Sequence, residues 1–193
     1  METNTKERIY VSKEYIDDVL TVVRSIDHVR RYQLIKRFCF GKVLDAACGV
    51  GYGSYLLSNN PDISEVIGID ISSDAINHAK QEFKSPKIKF LQKSITDLDE
   101  PCDTFVSLET LEHIREVDDF AKAIERCQPK ILIVSFPDKK STHFNEFHFH
   151  DFKKQDLINL FGGYALVREI FENDVYVLVF VKIASTIPTH IFR

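Results

Sequence analysis

From residue 42 onward, short apolar runs alternate with amphipathic ones, the pattern of strands and crossover helices in a doubly wound parallel sheet. Strands are predicted over residues 43–46, 65–69, 88–91, 104–108 and 131–136. Residues 52–57 are predicted to begin the first crossover helix, which Asn59, Asn60 and Pro61 end, and further helices to run over 73–83, through 121–127, and over 153–161. Ser72 and Ser73 offer an N-cap for the second of these, with Ala75, Ile76, Ala79 and Phe83 facing inward. The last two apolar runs, 165–170 and 175–183, are separated by residues 171–174 and read as an antiparallel hairpin. Upstream, Tyr15, Ile16, Val19, Leu20 and Val23 recur at three- and four-residue spacing behind Ser12 and predict a helix over 13–24. A second helix carries Ile26, Val29, Leu34, Ile35 and Phe38. The expected fold is therefore α/β, a seven-stranded, mostly parallel sheet with an antiparallel last strand. Residues 1–40 form an N-terminal helical lid on a core of 41–184, and 185–193 are a loosely held tail.

Between the first strand and its helix lies VLDAACGVGYGS, residues 43–54. Gly49, Gly51 and Gly53 stand at every second position, although the chain has only 7 glycines. Losing three Cβ atoms lets a ligand lie against the backbone and permits φ values that other residues avoid. Asp45 ends the first apolar run and Asp70 ends the next. An acid at the tip of the second strand, about 20 residues past a glycine turn, is where ribose hydroxyls are gripped in a nucleotide-binding βαβ unit. Asp45 would repel a dinucleotide's pyrophosphate, whereas S-adenosylmethionine (SAM) places an ammonium and a sulfonium there.

At these residues the chain resembles the class I SAM-dependent methyltransferases, whose glycine motif has this D-x-x-C-G-x-G-x-G form. The resemblance runs over residues 28–181 and includes D-H-x-x-R-Y, E-T-L-E-H and N-x-F-H-x-x-x-F. It is similar to a subgroup of bacterial and phage enzymes associated with glycan or secondary-metabolite modification. It implies a Rossmann-like core and cofactor contacts from Arg31, Asp45, Ala47, Cys48, Gly49, Gly51, Asp70, Ile71, Ser94, Ile95 and Leu108. His28, Arg31 and Tyr32 share a helical face. Arg31 either meets the carboxylate of the cofactor's methionine end or belongs to a solvated charged face. Where the family carries an Asp for the adenine amino group, this chain has Ser94, so the Ser94–Ile95 backbone is expected to take that contact, with Asp97 as the alternative. Ser107 and Leu108 are expected to line the methionine end. The family's Lys-Pro-Gly-Gly turn is reduced to Pro129.

Methyl transfer needs alignment of the acceptor and, for an alcohol, a group to take its proton. Glu109, Glu112 and His113 fall at i, i+3 and i+4, which places them on one face if the segment is helical. Residues 137–152 form a long loop bearing His148 and His150, expected to be ordered and to hang over the same end of the sheet, with Phe147, Phe149 and Phe152 packing it down. Three uses of these residues stand side by side. They are local structure, general-base or substrate positioning by Glu112, His113 and His148, or a divalent-cation site of Glu109, Glu112, His113 and His148. The last pattern resembles the metal site of small-RNA 3′-terminal ribose methyltransferases.

A net charge of −4 with 28% charged residues carries no global electrostatic footprint for nucleic acid. Cys39, Cys48, Cys102 and Cys127 have no C-x-x-C spacing and read as reduced thiols. No apolar stretch is long enough to span a bilayer, and a soluble cytoplasmic protein is expected. Two enzyme readings follow: methyl transfer from SAM to an oxygen or nitrogen of a small molecule or glycan, or metal-dependent ribose 2′-O-methylation at RNA 3′ ends. A third is a SAM-binding regulatory subunit without catalysis.

Overall fold

The computed structural model describes residues 8–19, 26–143 and 145–192, the side chains of residues 18 and 19 excepted. Seven strands are present: β1 (Gly41–Ala46), β2 (Ile63–Asp70), β3 (Ile88–Gln92), β4 (Thr104–Ser107), β5 (Ile131–Pro137), β6 (Tyr164–Glu172) and β7 (Val175–Lys182). They are ordered β3-β2-β1-β4-β5-β7-β6. β1 with β2, β2 with β3, and β4 with β5 pair parallel, and β7 runs antiparallel to β5 and β6. This is the doubly wound sheet with an antiparallel last strand that the alternation of apolar runs predicts. The chain divides into two compact units, Met1–Ile95 and Thr96–Arg193.

The first unit holds α1 (Lys13–Val19), α2 (Asp27–Ile35), α3 (Tyr52–Ser58) and α4 (Ser73–Glu82) beside β1 to β3. Of the helix predicted over 13–24, Leu20 and Val23 lie outside the described residues. The second predicted helix ends at Ile35, and a 3-10 turn, Lys36–Phe38, swings Phe38 into the core. Asn60 fixes that exit, its side-chain amide donating to the carbonyls of Lys36 (2.6 Å) and Cys39 (3.1 Å). Ser72 caps α4 as expected, its hydroxyl accepting from the Ala75 amide at 3.3 Å, and Ala75, Ile76, Ala79 and Phe83 are buried. The N-terminal segment packs on the same unit: Ile16 is buried, the Lys13 amide donates to Glu82 (2.9 Å), and Tyr55 donates to Asp17 (3.0 Å).

The second unit builds β4 to β7 with α5 (Val117–Cys127) and α6 (Lys154–Leu160). α5 begins four residues before the predicted stretch and buries Phe120, Ala123, Ile124 and Cys127 on one face. The closing hairpin is tighter than its sequence spacing suggests. Asn173 and Asp174 alone connect the strands, with φ of 51° and 61°. Two successive left-handed residues make a type I′ turn, whose twist matches that of the flanking strands. The tail expected to be loose buries Ile191. All four cysteines are buried free thiols. Among the described residues no helix is long and apolar enough to cross a membrane.

Candidate active site

The glycine turn follows β1 on a left-handed path, with φ of 62° at Ala47, 56° at Gly49 and 95° at Gly51. Asp70, at the tip of β2, fastens it. One carboxylate oxygen accepts from the Gly49 amide (3.0 Å), and the other accepts from the Ser72 amide (2.8 Å) and the Arg8 guanidinium (3.3 Å). The Cys48 amide donates to the Ile69 carbonyl at 2.8 Å, so the turn is tied to β2 through backbone as well.

The three alternate glycines do different work, which corrects the reading that all three clear space for a ligand. A Cβ on Gly49 would meet nothing within 4 Å. On Gly51 it would lie 2.6 Å from the Ala79 Cβ, and on Gly53 2.1 Å from the Tyr32 ring. Gly49 therefore leaves an open face, while Gly51 and Gly53 admit α4 and α2 to close packing.

Asp45 is fully buried and its two oxygens accept from Tyr32 Oη (2.8 Å) and Ser54 Oγ (2.6 Å). Burial pushes its carboxyl up to about 6, against the pull of those two hydrogen bonds, and the Asp70 charge adds to the rise. Burial and the Asp45 carboxylate likewise hold the Tyr32 phenol well above its usual range, so it stays a donor. Asp45 thus acts beneath the turn, as the point that joins α2, β1 and α3, rather than as an open surface toward a ligand. Arg31 is buried beside Tyr32 on α2, so the solvated-face alternative does not hold. Cys48 is a buried filler whose thiol is raised by burial and by the two nearby aspartates. Ile71, just past Asp70, is 52% exposed. Ser94 and Ile95 are half-buried, and Asp97 is exposed.

In the second unit, β4 is followed by Leu108, which is buried, and by Glu109 at φ 51°. The helical face expected of Glu109, Glu112 and His113 is not formed. Only Leu111–His113 turn, as a 3-10 helix. Glu109 stands before that turn, bound reciprocally to Ser135 of β5: its amide donates to the Ser135 hydroxyl (2.7 Å), which donates back to its carboxylate (2.8 Å). Glu109 is not in the group of ligand atoms that this structure brings together.

The other three converge. Ligand atoms of Glu112, His113 and His148 lie within 4.8 Å of one another. Glu112 is 1% exposed, and its carbonyl accepts from the Phe149 amide at 2.7 Å. His113 Nδ1 lies 3.0 Å from the Phe147 carbonyl. A carbonyl only accepts, so Nδ1 carries the proton and Nε2 of the neutral ring is the basic nitrogen. The His148 ring stands edge-on to that of His113, with centroids 4.7 Å apart, and its Nδ1 meets the hydroxyl of buried Ser141. His150 turns to a structural task, its Nε2 donating to the carbonyls of Ile114 and Arg115.

The loop is closed on itself by Asp151, which accepts from the Ser141 amide (2.7 Å), the Thr142 amide (3.1 Å) and the Thr142 hydroxyl (2.8 Å). Those bonds hold its carboxyl down at about 2, the Ser141 amide contributing most. Arg115 lies 3.8 Å over the Phe149 ring, and Phe152 packs edge-on to Phe136. Of the three phenylalanines expected to pack the loop down, Phe149 and Phe152 make these ring contacts. Ser141, Asp151 and Arg8 were not anticipated as site residues. Asp151 is the last unspecified position of N-x-F-H-x-x-x-F, and nothing in the spacing names its partners.

In comparisons with known proteins, no curated protein matches the sequence. Solved structures are similar in fold. A methyltransferase domain of bacterial CtHen1-C aligns at 23% identity over 79% of this chain and 95% of that one, with a TM-score of 0.66. The N-methyltransferase NodS of Bradyrhizobium japonicum WM9 aligns at 17% identity over 80% and 96%, with a TM-score of 0.65. Magnesium protoporphyrin IX methyltransferase of Synechocystis PCC 6803, solved with bound SAM, aligns at 21% identity over 88% and 78%, with a TM-score of 0.63. Residues 43–129 of this chain match the family model described as a methyltransferase domain.

Proposed function

We propose that this protein is a SAM-dependent methyltransferase that methylates an oxygen or nitrogen of a small molecule or glycan. The observation that carries the reading is the Asp70–Gly49 pair. A carboxylate is fixed at the tip of β2 on the amide of the glycine whose missing Cβ leaves an open face. That arrangement fits an adenosyl cofactor, with the acid for ribose hydroxyls, bare backbone for close approach and exposed Ile71 beside it as an apolar surface. Ala47, Cys48, Gly49 and Gly51 would form the cradle, with Asp70 at the ribose, Ser94 and Ile95 toward the adenine, and Arg31 and Leu108 toward the methionine end. Asp45 supplies negative charge from beneath the turn, which favours a cationic ligand over a pyrophosphate. Bound there, SAM supplies an electrophilic methyl group on a sulfonium. In the second unit, His113 Nε2 is the nitrogen that would take an acceptor's proton, with Glu112 and His148 beside it to position the acceptor. Incubation with methyl-labelled SAM and fractionated metabolite and glycan pools tests the reading. Transfer of label supports it, and the absence of both SAM binding and transfer overturns it.

A second reading is favoured by one observation, the approach of Glu112, His113 and His148 to within 4.8 Å. Two imidazoles and a carboxylate suit a divalent cation with open positions for a substrate's hydroxyls, as in ribose 2′-O-methylation at RNA 3′ ends. In that case the three residues are ligands and activity on RNA 3′ ends is abolished by chelation. Activity that survives chelation and the Glu112→Ala change rejects it.

A further inference from the structure

The N-terminal segment reaches the cofactor turn through Arg8, which neither the glycine motif nor the fold accounts for. Its Nη2 lies 3.3 Å from the Asp70 carboxylate, and its side chain is 16% exposed. Its other terminal nitrogen, Nη1, is buried and has no hydrogen-bond acceptor among the described residues. Arg8 is delivered by packing elsewhere on the segment. Tyr10 stands edge-on to His78 of α4, with centroids 5.1 Å apart, and the Lys13 amide donates to Glu82 at the end of the same helix.

A guanidinium is a rigid fork of donors. One nitrogen of this fork is engaged with the carboxylate, and the second is withdrawn from water without a partner among the described residues, an unfavourable state unless an acceptor arrives. A ribose hydroxyl is both donor and acceptor. It can donate to Asp70 while accepting from a neighbouring N–H. We infer that Arg8 is a ribose-binding and specificity-determining residue of the cofactor site, its Nη1 donating to a hydroxyl of the diol that Asp70 grips. The inference rests on the reading of the glycine turn as a SAM site. Asp70 alone reads the hydroxyl protons. The Arg8–Asp70 pair reads both protons and oxygens, so the site rejects a nucleoside that lacks the diol by more than one lost hydrogen bond.

The test is calorimetric titration of wild-type protein and Arg8→Ala with S-adenosylhomocysteine and with its 2′,3′-dideoxyribose analogue. Arg8→Ala is expected to weaken the ribose ligand by about 10-fold, as loss of one charge-assisted hydrogen bond does, and to leave the dideoxy ligand unchanged. Tyr10→Ala, which loosens delivery of Arg8 without removing it, is expected to weaken the ribose ligand by less. Unaltered or tighter binding of S-adenosylhomocysteine by Arg8→Ala overturns the inference, and so does an equal loss on both ligands. Wild-type protein that binds no S-adenosylhomocysteine overturns the cofactor reading as well. Wild-type binding with an indifferent Arg8→Ala overturns this inference alone.

Discussion

The glycine turn and the Glu112–His113–His148 cluster each contain a buried acid, yet they reach their geometry by different routes. Asp70 takes its bonds from Ser72, two residues away, and from Gly49, brought close by the parallel pairing of β1 with β2. The cluster is assembled across a loop: His113 is oriented by Phe147, 34 residues on, and Glu112 by Phe149. Geometry set by adjacent strands is carried in short sequence spacings. Geometry set by a loop depends on which hydrogen bonds close it.

The largest expected effect separates the two regions by function. His113→Ala should lower methyl transfer by roughly 10²- to 10⁴-fold, the range for loss of a general base, with S-adenosylhomocysteine affinity unchanged by calorimetry. Loss of cofactor binding in that variant would show that the regions are not separable in this way.

Within the turn, Gly53→Ala places a methyl group 2.1 Å from the Tyr32 ring. It should cost about 3 kcal/mol of stability, at the upper end of overpacking, read by chemical denaturation. Gly49→Ala meets open space and should cost only about 1 kcal/mol, for a left-handed φ, while weakening the cofactor. Equal stability losses in the two variants would contradict the assignment of one glycine to the ligand and the other to packing.

Asp45 gives the turn a pH signature. Its folded-state carboxyl is raised from 3.8 to about 6, so the folded protein binds this proton more tightly than the unfolded chain does. The contribution is fully present below about pH 4 and is lost as pH rises through 6, an effect of about 3 kcal/mol. The stability difference between wild type and Asp45→Asn should therefore change over that window and level off above it. A difference that is flat from pH 4 to 7 would refute the burial argument. At the α4 cap, Ser72→Ala should likewise cost only about 1 kcal/mol, read by chemical denaturation.

The same contrast explains what was legible in the sequence. The alternation of strands and helices, the capped α4 and the place of Asp70 beside the glycine turn follow from apolar periodicity and from spacings that adjacent elements preserve. Tyr32 was visible as part of D-H-x-x-R-Y, but its bond to Asp45 was not, because a helix face does not state what it packs against. The E-T-L-E-H spacing predicted a helical face. The left-handed Glu109, held by Ser135 from β5, broke that face after its first residue. Periodicity cannot register a bond to a strand 26 residues away. The two-residue hairpin turn was hidden for a related reason, since Phe171 and Glu172 continue β6 although they look like loop.

The account's central claim is that Asp70 and the open face at Gly49 hold the ribose of SAM. Calorimetric titration of S-adenosylhomocysteine into wild type and into folded Asp70→Ala tests it most directly. The expected result is one site per chain in wild type and a loss of at least about 10-fold in the variant, from removal of a charged hydrogen-bonding partner. Wild-type protein that does not bind, or a variant that binds as tightly as wild type, would contradict it.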